Sequence, residues 1–141
     1  MSDIIRACYN GDLSKVKTLV TSGCDINTTN SYGSTGLMLS LRYKNWSTSE
    51  YLLALDTIDT NIKNDYGYNA LHSACIHGAS TDIVSKIVSK SDIQTINCRN
   101  SDGDYTPIMK AIEYGHTALV SLLSKVEMID WDKEELVMVA R

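Results

Sequence analysis

The chain is organised around Asn69-Ala70-Leu71-His72-Ser73-Ala74-Cys75-Ile76-His77-Gly78, a stretch with the pattern of a short helix that ends at a glycine. Weaker copies of this stretch recur at residues 4–11, 35–41 and 106–116. In the copy at residues 106–116, Thr106-Pro107 stands at the positions that Asn69-Ala70 occupies in the stretch quoted above. Copies of one motif along a chain predict an internal repeat, and an internal repeat decides the fold class.

The spacing of two landmark residues gives the length of the repeat. Both series have spacings of 34 and 36 residues: Gly33, Gly67 and Gly103 in one, and Asn27, Asn61 and Asn97 in the other. A period of this length is typical of a solenoid built from helix pairs. A single helix pair cannot bury its apolar face, so such units stack and bury a continuous core between them.

Each period is predicted to contain two short helices and a turn. Leucine and valine recur at helical spacing over residues 13–20, and Gly23 stands where such a helix would end. The corresponding second helices are predicted at residues 50–55, 82–88 and 117–123. Between the periods, clusters of turn-forming residues predict tight hairpins, at residues 30–33, 64–67 and 101–104.

The composition favours a folded intracellular protein and argues against two classes of partner. Of the 141 residues, 43% are hydrophobic, which is enough for a core, and the formal net charge is -4. This balance disfavours nucleic acid and anionic membrane surfaces, because both attract basic faces. No apolar run is long enough to span a bilayer, and the N-terminus lacks the pattern of a signal peptide. We therefore expect an intracellular location, cytoplasmic or nuclear, and four reduced cysteines.

The motifs resemble those of the ankyrin-repeat family, whose unit is a hairpin loop, Thr-Pro-Leu-His-x-Ala-Ala, a Gly-His turn, a second helix ending Leu-Leu, and Gly-Ala-Asp-x-Asn. The resemblance implies an all-α solenoid of stacked helix-turn-helix units with short β-hairpin finger loops. It also implies a single domain over residues 1–141, with about four repeats and a C-terminal capping helix. The repeats are expected at residues 3–29, 30–63, 64–99 and 100–131, and the capping helix at 132–141.

Some positions depart from the family pattern. Lys44 stands where a glycine is expected, and Thr48-Ser49 replaces an apolar pair. The helix pair of the second repeat is therefore predicted to be irregular, with a weaker core. The third repeat carries about two extra residues before Asn97, and insertions of this kind fall in loops, where they cost little.

The sequence gives little support to catalysis or metal binding. His72, Cys75 and His77 could suggest a metal site, but residue 77 points away from the face that the other two share, and a fourth ligand is missing. The resemblance implies instead that His72 and His116 are structural hydrogen-bonding residues. No cysteine or serine has a positioned base, so we predict that the protein is not an enzyme and has no cofactor.

Function in a fold of this kind is expected to depend on variable surface positions rather than on the scaffold. The resemblance implies that the fingers and the exposed edge of the inner helices form one concave surface, which binds a protein partner, and we expect a monomer. The finger positions are Ser31, Tyr32, Ser34, Asp65, Tyr66, Tyr68, Arg99, Asp102 and Asp104, and the helix positions are Tyr9, Asn10, Arg42, Tyr43, Ile76, His77, Glu113 and Tyr114. Tyrosine and arginine dominate interface hot spots. The alternative is that the finger tyrosines only pack on one another.

Two other functions and one modification stay open. The chain could inhibit a signalling enzyme such as a kinase by occluding it, since its size and repeat number are similar to those of the four-repeat inhibitors of cyclin-dependent kinases. It could also be a targeting domain of a longer protein, viral or host-interacting. Asn27 and Asn61, each eight residues after a leucine, resemble asparagine-hydroxylation sites. The alternative is that these asparagines fix the hairpin turns through side-chain hydrogen bonds.

Overall fold

The fold is known from a computed structural model, which describes residues 2–130. The helices in this range are α1 (Asp3–Asn10), α2 (Leu13–Thr21), α3 (Gly36–Arg42), α4 (Trp46–Leu53), α5 (Ala70–His77), α6 (Thr81–Lys90), α7 (Ile93–Ile96), α8 (Pro107–Glu113) and α9 (Thr117–Ser124). Within the same range, no helix combines the length and the apolar character that crossing a bilayer requires. The capping helix predicted at 132–141 lies outside the described residues.

The helices pack in two layers. An inner layer is formed by α1, α3, α5 and α8, each in contact with the next, and an outer layer is formed in the same way by α2, α4, α6 and α9. Each inner helix also packs on the outer helix that follows it in the chain. One continuous hydrophobic core runs through the four pairs, from Ile4 to Leu123. The prediction of an all-α solenoid is confirmed.

Local capping explains why such short helices form. The side chains of Thr35, Asn69 and Thr106 each accept a hydrogen bond from the backbone N–H three residues later, at the start of α3, α5 and α8. α1 and α5 end at Gly11 and Gly78, whose φ values of 69° and 75° lie in the left-handed region. These caps satisfy backbone groups that a short helix would otherwise leave unpaired.

The predicted hairpins are present as tight turns, which we call the first finger (residues 30–34), the second finger (64–68) and the third finger (100–105). In the first two, the side-chain oxygen of Asn30 or Asn64 accepts hydrogen bonds from two backbone N–H groups of the same turn. In the third, Asn100 accepts one such bond. Strand-type pairing in the described residues is limited to one isolated antiparallel bridge, between Thr29 and Thr35.

Backbone hydrogen bonds join neighbouring fingers. The N–H of Asp65 donates to the carbonyl of Tyr32 at 2.9 Å, and the N–H of Ser101 donates to the carbonyl of Tyr66 at 2.9 Å. Each finger therefore fixes the position of the next one, in register with the stacking of the inner helices. The fingers form one continuous edge of the molecule.

The second helix pair differs from its prediction. α4 begins at Trp46 instead of residue 50, and both helices of the pair are similar in length to those of the other pairs. Thr48 and Ser49 are buried, and the Ser49 hydroxyl forms a 2.7 Å hydrogen bond with the hydroxyl of Ser40. The prediction of an irregular pair is wrong, because two small polar groups that satisfy each other occupy the place of an apolar contact.

The insertion in the third repeat is ordered as α7 instead of a plain loop. The side chain of Asp92 accepts a hydrogen bond from the Thr95 N–H at 2.8 Å and so caps this single helical turn. The carbonyl of Thr95 in turn accepts a 2.9 Å hydrogen bond from the Asn69 side chain, at the start of α5. The inserted residues therefore support the base of the second finger.

Replacement of Lys44 by glycine is expected to raise the free energy of unfolding by about 0.5–1 kcal/mol. Lys44 has a φ of 61°, in the left-handed region that costs a residue with a Cβ atom roughly 1–2 kcal/mol. The greater freedom of glycine in the unfolded chain offsets part of that gain. Urea denaturation followed by far-UV circular dichroism measures the difference.

The matched control is Gly78→Ala, at the equivalent position of the third repeat. An added Cβ there would meet the His116 ring at 2.8 Å, and the φ of 75° is strained for alanine, so this variant is expected to be less stable. A Lys44→Gly variant that unfolds at lower urea concentration than the wild type would contradict the interpretation of strain at Lys44.

Candidate partner-binding surface

Large apolar side chains that remain exposed are concentrated on one side of the stack. Five tyrosines are between 44% and 59% exposed, and all lie on fingers or at the C-terminal ends of inner helices: Tyr9, Tyr32, Tyr43, Tyr66 and Tyr114. The only other residue of this kind in the described range is Met128, in the turn after α9. We call the fingers and the C-terminal ends of the inner helices the concave surface.

A cleft of about 320 Å³ opens on the concave surface between the second and third helix pairs. Its lining comes from the first two fingers and from α3 and α5: Ser34, Met38, Leu39, Arg42, Asn64, Tyr66, Tyr68, Ser73, Ile76 and His77. Six of the predicted contact residues therefore meet at one place: Ser34, Arg42, Tyr66, Tyr68, Ile76 and His77. This volume is near the lower end for ligand pockets, which span roughly 300–1,000 Å³.

Arg42 brings a positive charge to this cleft that no described residue neutralises. Its guanidinium forms no ion pair with a carboxylate of residues 2–130, whereas the other two arginines of this range, Arg6 and Arg99, each form at least one. The Arg42 guanidinium lies 5.5 Å from the centre of the Tyr43 ring. The charge is therefore held against an aromatic face and stays available to a ligand.

His77 lies beside Arg42 in the same cleft. Burial lowers the pKa of its imidazole, and the nearby positive charges of Arg42 and Lys44 and the imidazole of His116 lower it further. A lowered pKa keeps the ring neutral at pH 7, so it can donate or accept a hydrogen bond without a charge of its own. The end of the cleft thus combines one fixed cation with one neutral polar ring.

A second cluster, next to the cleft along the stack, is neutralised internally. Lys110 is only 7% exposed, lies 4.2 Å from the Tyr105 ring centre and pairs with Glu113 at 3.1 Å. The hydroxyl of Tyr68 donates to Asp102 at 3.4 Å. The carboxylates of Glu113 and Asp102, both predicted contact residues, are therefore engaged within the protein.

Two predicted contact residues lie together away from the cleft. Arg99 forms salt bridges with Asp104 at 3.8 Å and with Asp130 at 3.7 Å, and its guanidinium also donates to the Asp104 carbonyl. Arg99 and Asp104 are both exposed at the base of the third finger. This network stabilises the finger, and the structure does not bring it to the residues that line the cleft.

The first two fingers place their predicted contact residues differently. Ser34 is 9% exposed, and its hydroxyl accepts a 3.2 Å hydrogen bond from the Asn64 side chain, so this group is already used within the stack. Asp65 is exposed on the second finger. The rings of Tyr32 and Tyr66 contact no other aromatic ring in residues 2–130. The alternative is that the finger tyrosines only pack on one another. No contact between Tyr32 and Tyr66 supports it.

The buried histidine of the motif is a structural residue. His72 is fully buried; its Nδ1 accepts a hydrogen bond from the Asn69 N–H at 3.2 Å, and its Nε2 lies 2.9 Å from the Tyr105 carbonyl oxygen, to which it donates. Burial lowers the pKa of His72 to about 4. His116 lies 3.3 Å from the carbonyl of Ile76, at the end of α5. Both histidines thus occupy the hydrogen-bonding positions that the sequence predicted.

Comparison with known families decides the classification. A family model of ankyrin repeats, in three copies, matches residues 4–97. The chain belongs to the ankyrin repeat family. The matched range contains the first three helix pairs, and the fourth, α8 and α9, lies beyond it. The resemblance that the motifs predicted is confirmed.

Two relatives are ankyrin repeat proteins as well. FPV031 of fowlpox virus (strain NVSL) is 32% identical over an alignment of 119 residues, and the alignment covers 82% of this chain and 35% of the relative. YahD of Escherichia coli (strain K12) is 28% identical over 128 residues, which make up 90% of this chain and 61% of the relative. This ankyrin repeat chain therefore spans about a third of the length of the first and about three fifths of the second.

Asparagine side chains connect successive ankyrin repeats. Asn27 donates to the Thr57 carbonyl at 2.8 Å and accepts from the Asp59 N–H at 2.9 Å, which lie in the loop after the next outer helix. Asn61 accepts a 2.9 Å hydrogen bond from the Asp92 N–H in the same way. These side-chain hydrogen bonds link each asparagine to the neighbouring repeat, whereas the sequence suggested bonds that fix the hairpin turn. The hydroxylation of Asn27 and Asn61 stays a prediction.

Cys75, which the sequence places near two histidines, and Cys8 are both buried in the core of the ankyrin stack. Burial raises the pKa of the Cys8 thiol to about 12, and burial raises that of Cys75 as well. Protonated thiols are poor nucleophiles and poor metal ligands. Among residues 2–130, no three side chains of the metal-binding types come together.

Proposed function

We propose that this ankyrin repeat chain binds a protein partner through its concave surface and acts by binding rather than by catalysis. One observation supports this proposal above the others: the five most exposed tyrosines of the described range all lie on that surface. Exposed aromatic groups that gather on one face of a protein are typical of an interaction site. Tyrosine is also among the residues that contribute most to binding free energy.

The chemistry of these tyrosines suits a protein partner. A tyrosine gives a large, rigid and amphipathic contact area, and only two torsion angles must be fixed on binding. The rings of Tyr9 and Tyr43 are already held against each other with centroids 4.6 Å apart. A pair that is ordered before binding loses less conformational entropy when a partner arrives.

The proposal includes no cofactor, no nucleic acid, no membrane contact and no second copy of the chain. The acidic net charge of -4 supports the exclusion of nucleic acid. The burial of the Cys8 and Cys75 thiols, together with their raised pKa values, supports the exclusion of catalysis by these two cysteines. We propose an intracellular location, cytoplasmic or nuclear, on the composition alone.

The proposed function is tested with the double variant Tyr43→Ala/Tyr66→Ala. The partner is first obtained by affinity capture from an extract of the producing cells, with wild-type and variant proteins as parallel baits. We expect the variant to bind the purified partner at least about 30-fold more weakly, as truncation of two hot-spot residues predicts. Far-UV circular dichroism should be unchanged, because both side chains are exposed.

The matched control is the double variant Lys15→Ala/Glu50→Ala, which changes two exposed residues on the outer helices α2 and α4. Its affinity for the partner is expected to equal that of the wild type. Wild-type affinity in the tyrosine variant, or an equal loss in both variants, would contradict the proposed binding surface.

A further inference from the structure

We infer that the cleft between the second and third helix pairs binds an acidic segment of a protein partner, with one aspartate or glutamate side chain paired to Arg42. This inference rests on the proposed function and adds the chemistry of the partner. The proposed function concerns the whole concave surface, whereas the inference concerns one cleft and one charge.

The local charge of the cleft is opposite to that of the molecule as a whole. The chain contains 17 acidic and 13 basic residues. Nevertheless, the cationic side chain that lines the cleft, that of Arg42, has no carboxylate partner in residues 2–130. An acidic protein that keeps an uncompensated arginine in a cleft is electrostatically complementary to an acidic ligand at that point.

The groups around the end of the cleft favour an anion. Lys44, the residue with positive φ after α3, and His116, at the start of α9, act on His77 together with Arg42. None of the groups that perturb His77 is a carboxylate. An anionic side chain placed here would therefore meet favourable charges, and the ring of His77 could donate a hydrogen bond to it.

None of the predicted acidic contact residues pairs with Arg42. Asp65 is exposed on the second finger and does not line the cleft. Asp102 accepts the hydrogen bond of the Tyr68 hydroxyl, and Glu113 is paired with Lys110. Neither of them lines the cleft. Arg42 therefore has no carboxylate partner among residues 2–130, and we expect the bound segment to supply one.

The shape and lining of the cleft suit a side chain on a peptide. An arginine guanidinium can bind both oxygens of a carboxylate through two parallel hydrogen bonds, which a lysine cannot do. Ile76 and Leu39 add apolar surface to the lining, and Tyr66 is 53% exposed at the finger side. We therefore expect an apolar residue close to the acidic one in the bound segment.

The inference is tested by selection from a random peptide library displayed on phage, with the wild-type protein as the target. Selected peptides are resynthesised with a fluorescent label, and their affinities are measured for wild type, Arg42→Gln and Arg42→Lys. The control is Arg6→Gln, because Arg6 is exposed and pairs with Asp3 on α1. Circular dichroism verifies that each variant is folded.

We expect the selected peptides to be enriched in aspartate and glutamate. Their binding should weaken about tenfold or more in Arg42→Gln. It should weaken less in Arg42→Lys, because lysine keeps the positive charge but cannot form two parallel hydrogen bonds to a carboxylate. Replacement of the acidic residue of a peptide by its amide should weaken binding to wild type and have little effect on binding to Arg42→Gln. Arg6→Gln should bind like the wild type.

Peptides without acidic enrichment, or peptides whose affinity is independent of Arg42, would overturn the inference. If such peptides still lose binding in Tyr43→Ala/Tyr66→Ala, the proposed concave surface stands and only the acidic ligand is wrong. If neither set of variants changes their affinity, both the inference and the proposed function fail. A library that yields no peptide for the wild type also overturns the inference.

Discussion

Truncation of Leu71 to alanine is expected to lower the free energy of unfolding by about 3 kcal/mol, within the range of roughly 2–5 kcal/mol for buried leucines. Leu71 is fully buried in α5, the inner helix that contacts both α3 and α8. A solenoid is stabilised by contacts between nearest neighbours, so a cavity at this helix weakens two interfaces at once.

Urea denaturation followed by circular dichroism measures this change. Leu122→Ala is the matched control, because Leu122 lies on the last outer helix and is only partly buried. We expect the control to lose less than half as much stability as Leu71→Ala. Equal losses in the two variants would contradict the central position of α5 in the stack.

Acidification from pH 7 to pH 5 is expected to lower the free energy of unfolding by about 2 kcal/mol through His72 alone. Burial lowers the pKa of His72 in the folded protein to about 4, whereas the unfolded value is 6.5. The neutral ring is therefore favoured by folding. Its contribution is fully present above pH 6.5 and is lost as the pH falls from there to about 4.

Burial is the main reason why the charged form of His72 is disfavoured, whereas the bond from Nε2 to the Tyr105 carbonyl favours that form. The hydrogen bond at the other ring nitrogen acts in the same direction as burial. Nδ1 accepts a bond from the Asn69 N–H, so a proton added to Nδ1 would face that donor. Urea denaturation at pH 7, 6 and 5 is the measurement, with His72→Gln as the variant that cannot titrate. We expect this variant to be less stable at pH 7 but to lose much less stability on acidification.

A second histidine provides the control for the pH experiment. Burial also lowers the pKa of His77, but this side chain is only partly buried and lies in the cleft rather than in the core. His77→Ala should therefore keep most of the pH dependence of the wild type. If His72→Gln and the wild type lost stability in parallel between pH 7 and pH 5, the proposed role of His72 would be contradicted.

The regular part of the fold was predictable because the repeat itself carries the information. The period places each inner helix, and residues such as Gly11 and Gly78 end their helices for a local reason that is visible in the sequence. The positions of His72 and His116 follow from the same motif. Short-range rules and one period were therefore sufficient to predict an all-α solenoid.

Features that depend on pairs of distant residues were not predictable in the same way. The hydrogen bond between Ser40 and Ser49 makes a polar pair compatible with the core, and the sequence alone suggested a defect there. The buried position of Lys110, which is 7% exposed, was also missed. Its partners Tyr105, Glu113 and Tyr114 lie within five residues of it in the sequence, so local spacing could have identified this site.

The candidate site was predictable as a set of positions but not as a cleft. Tyr66 and Arg42 belong to different repeats, and only the stacking of α3 on α5 and the register of the fingers bring them to the same lining. The sequence equally nominated Arg99 and Asp104, which instead form a network of their own. Side-chain pairing within the concave surface therefore separates predicted contact residues that are engaged within the protein, such as Arg99 and Glu113, from those that line the cleft.

Site-specific photocrosslinking tests the central claim most directly. A photoreactive phenylalanine analogue is placed at position 66 on the second finger, at position 43 at the end of α3, or at position 50 on the outer helix α4, and each protein is irradiated with its captured partner. We expect adducts from positions 66 and 43 and none above background from position 50, because we propose that the partner covers the concave surface. Adducts from position 50 as strong as those from position 66, or adducts from position 50 alone, would contradict binding through the concave surface.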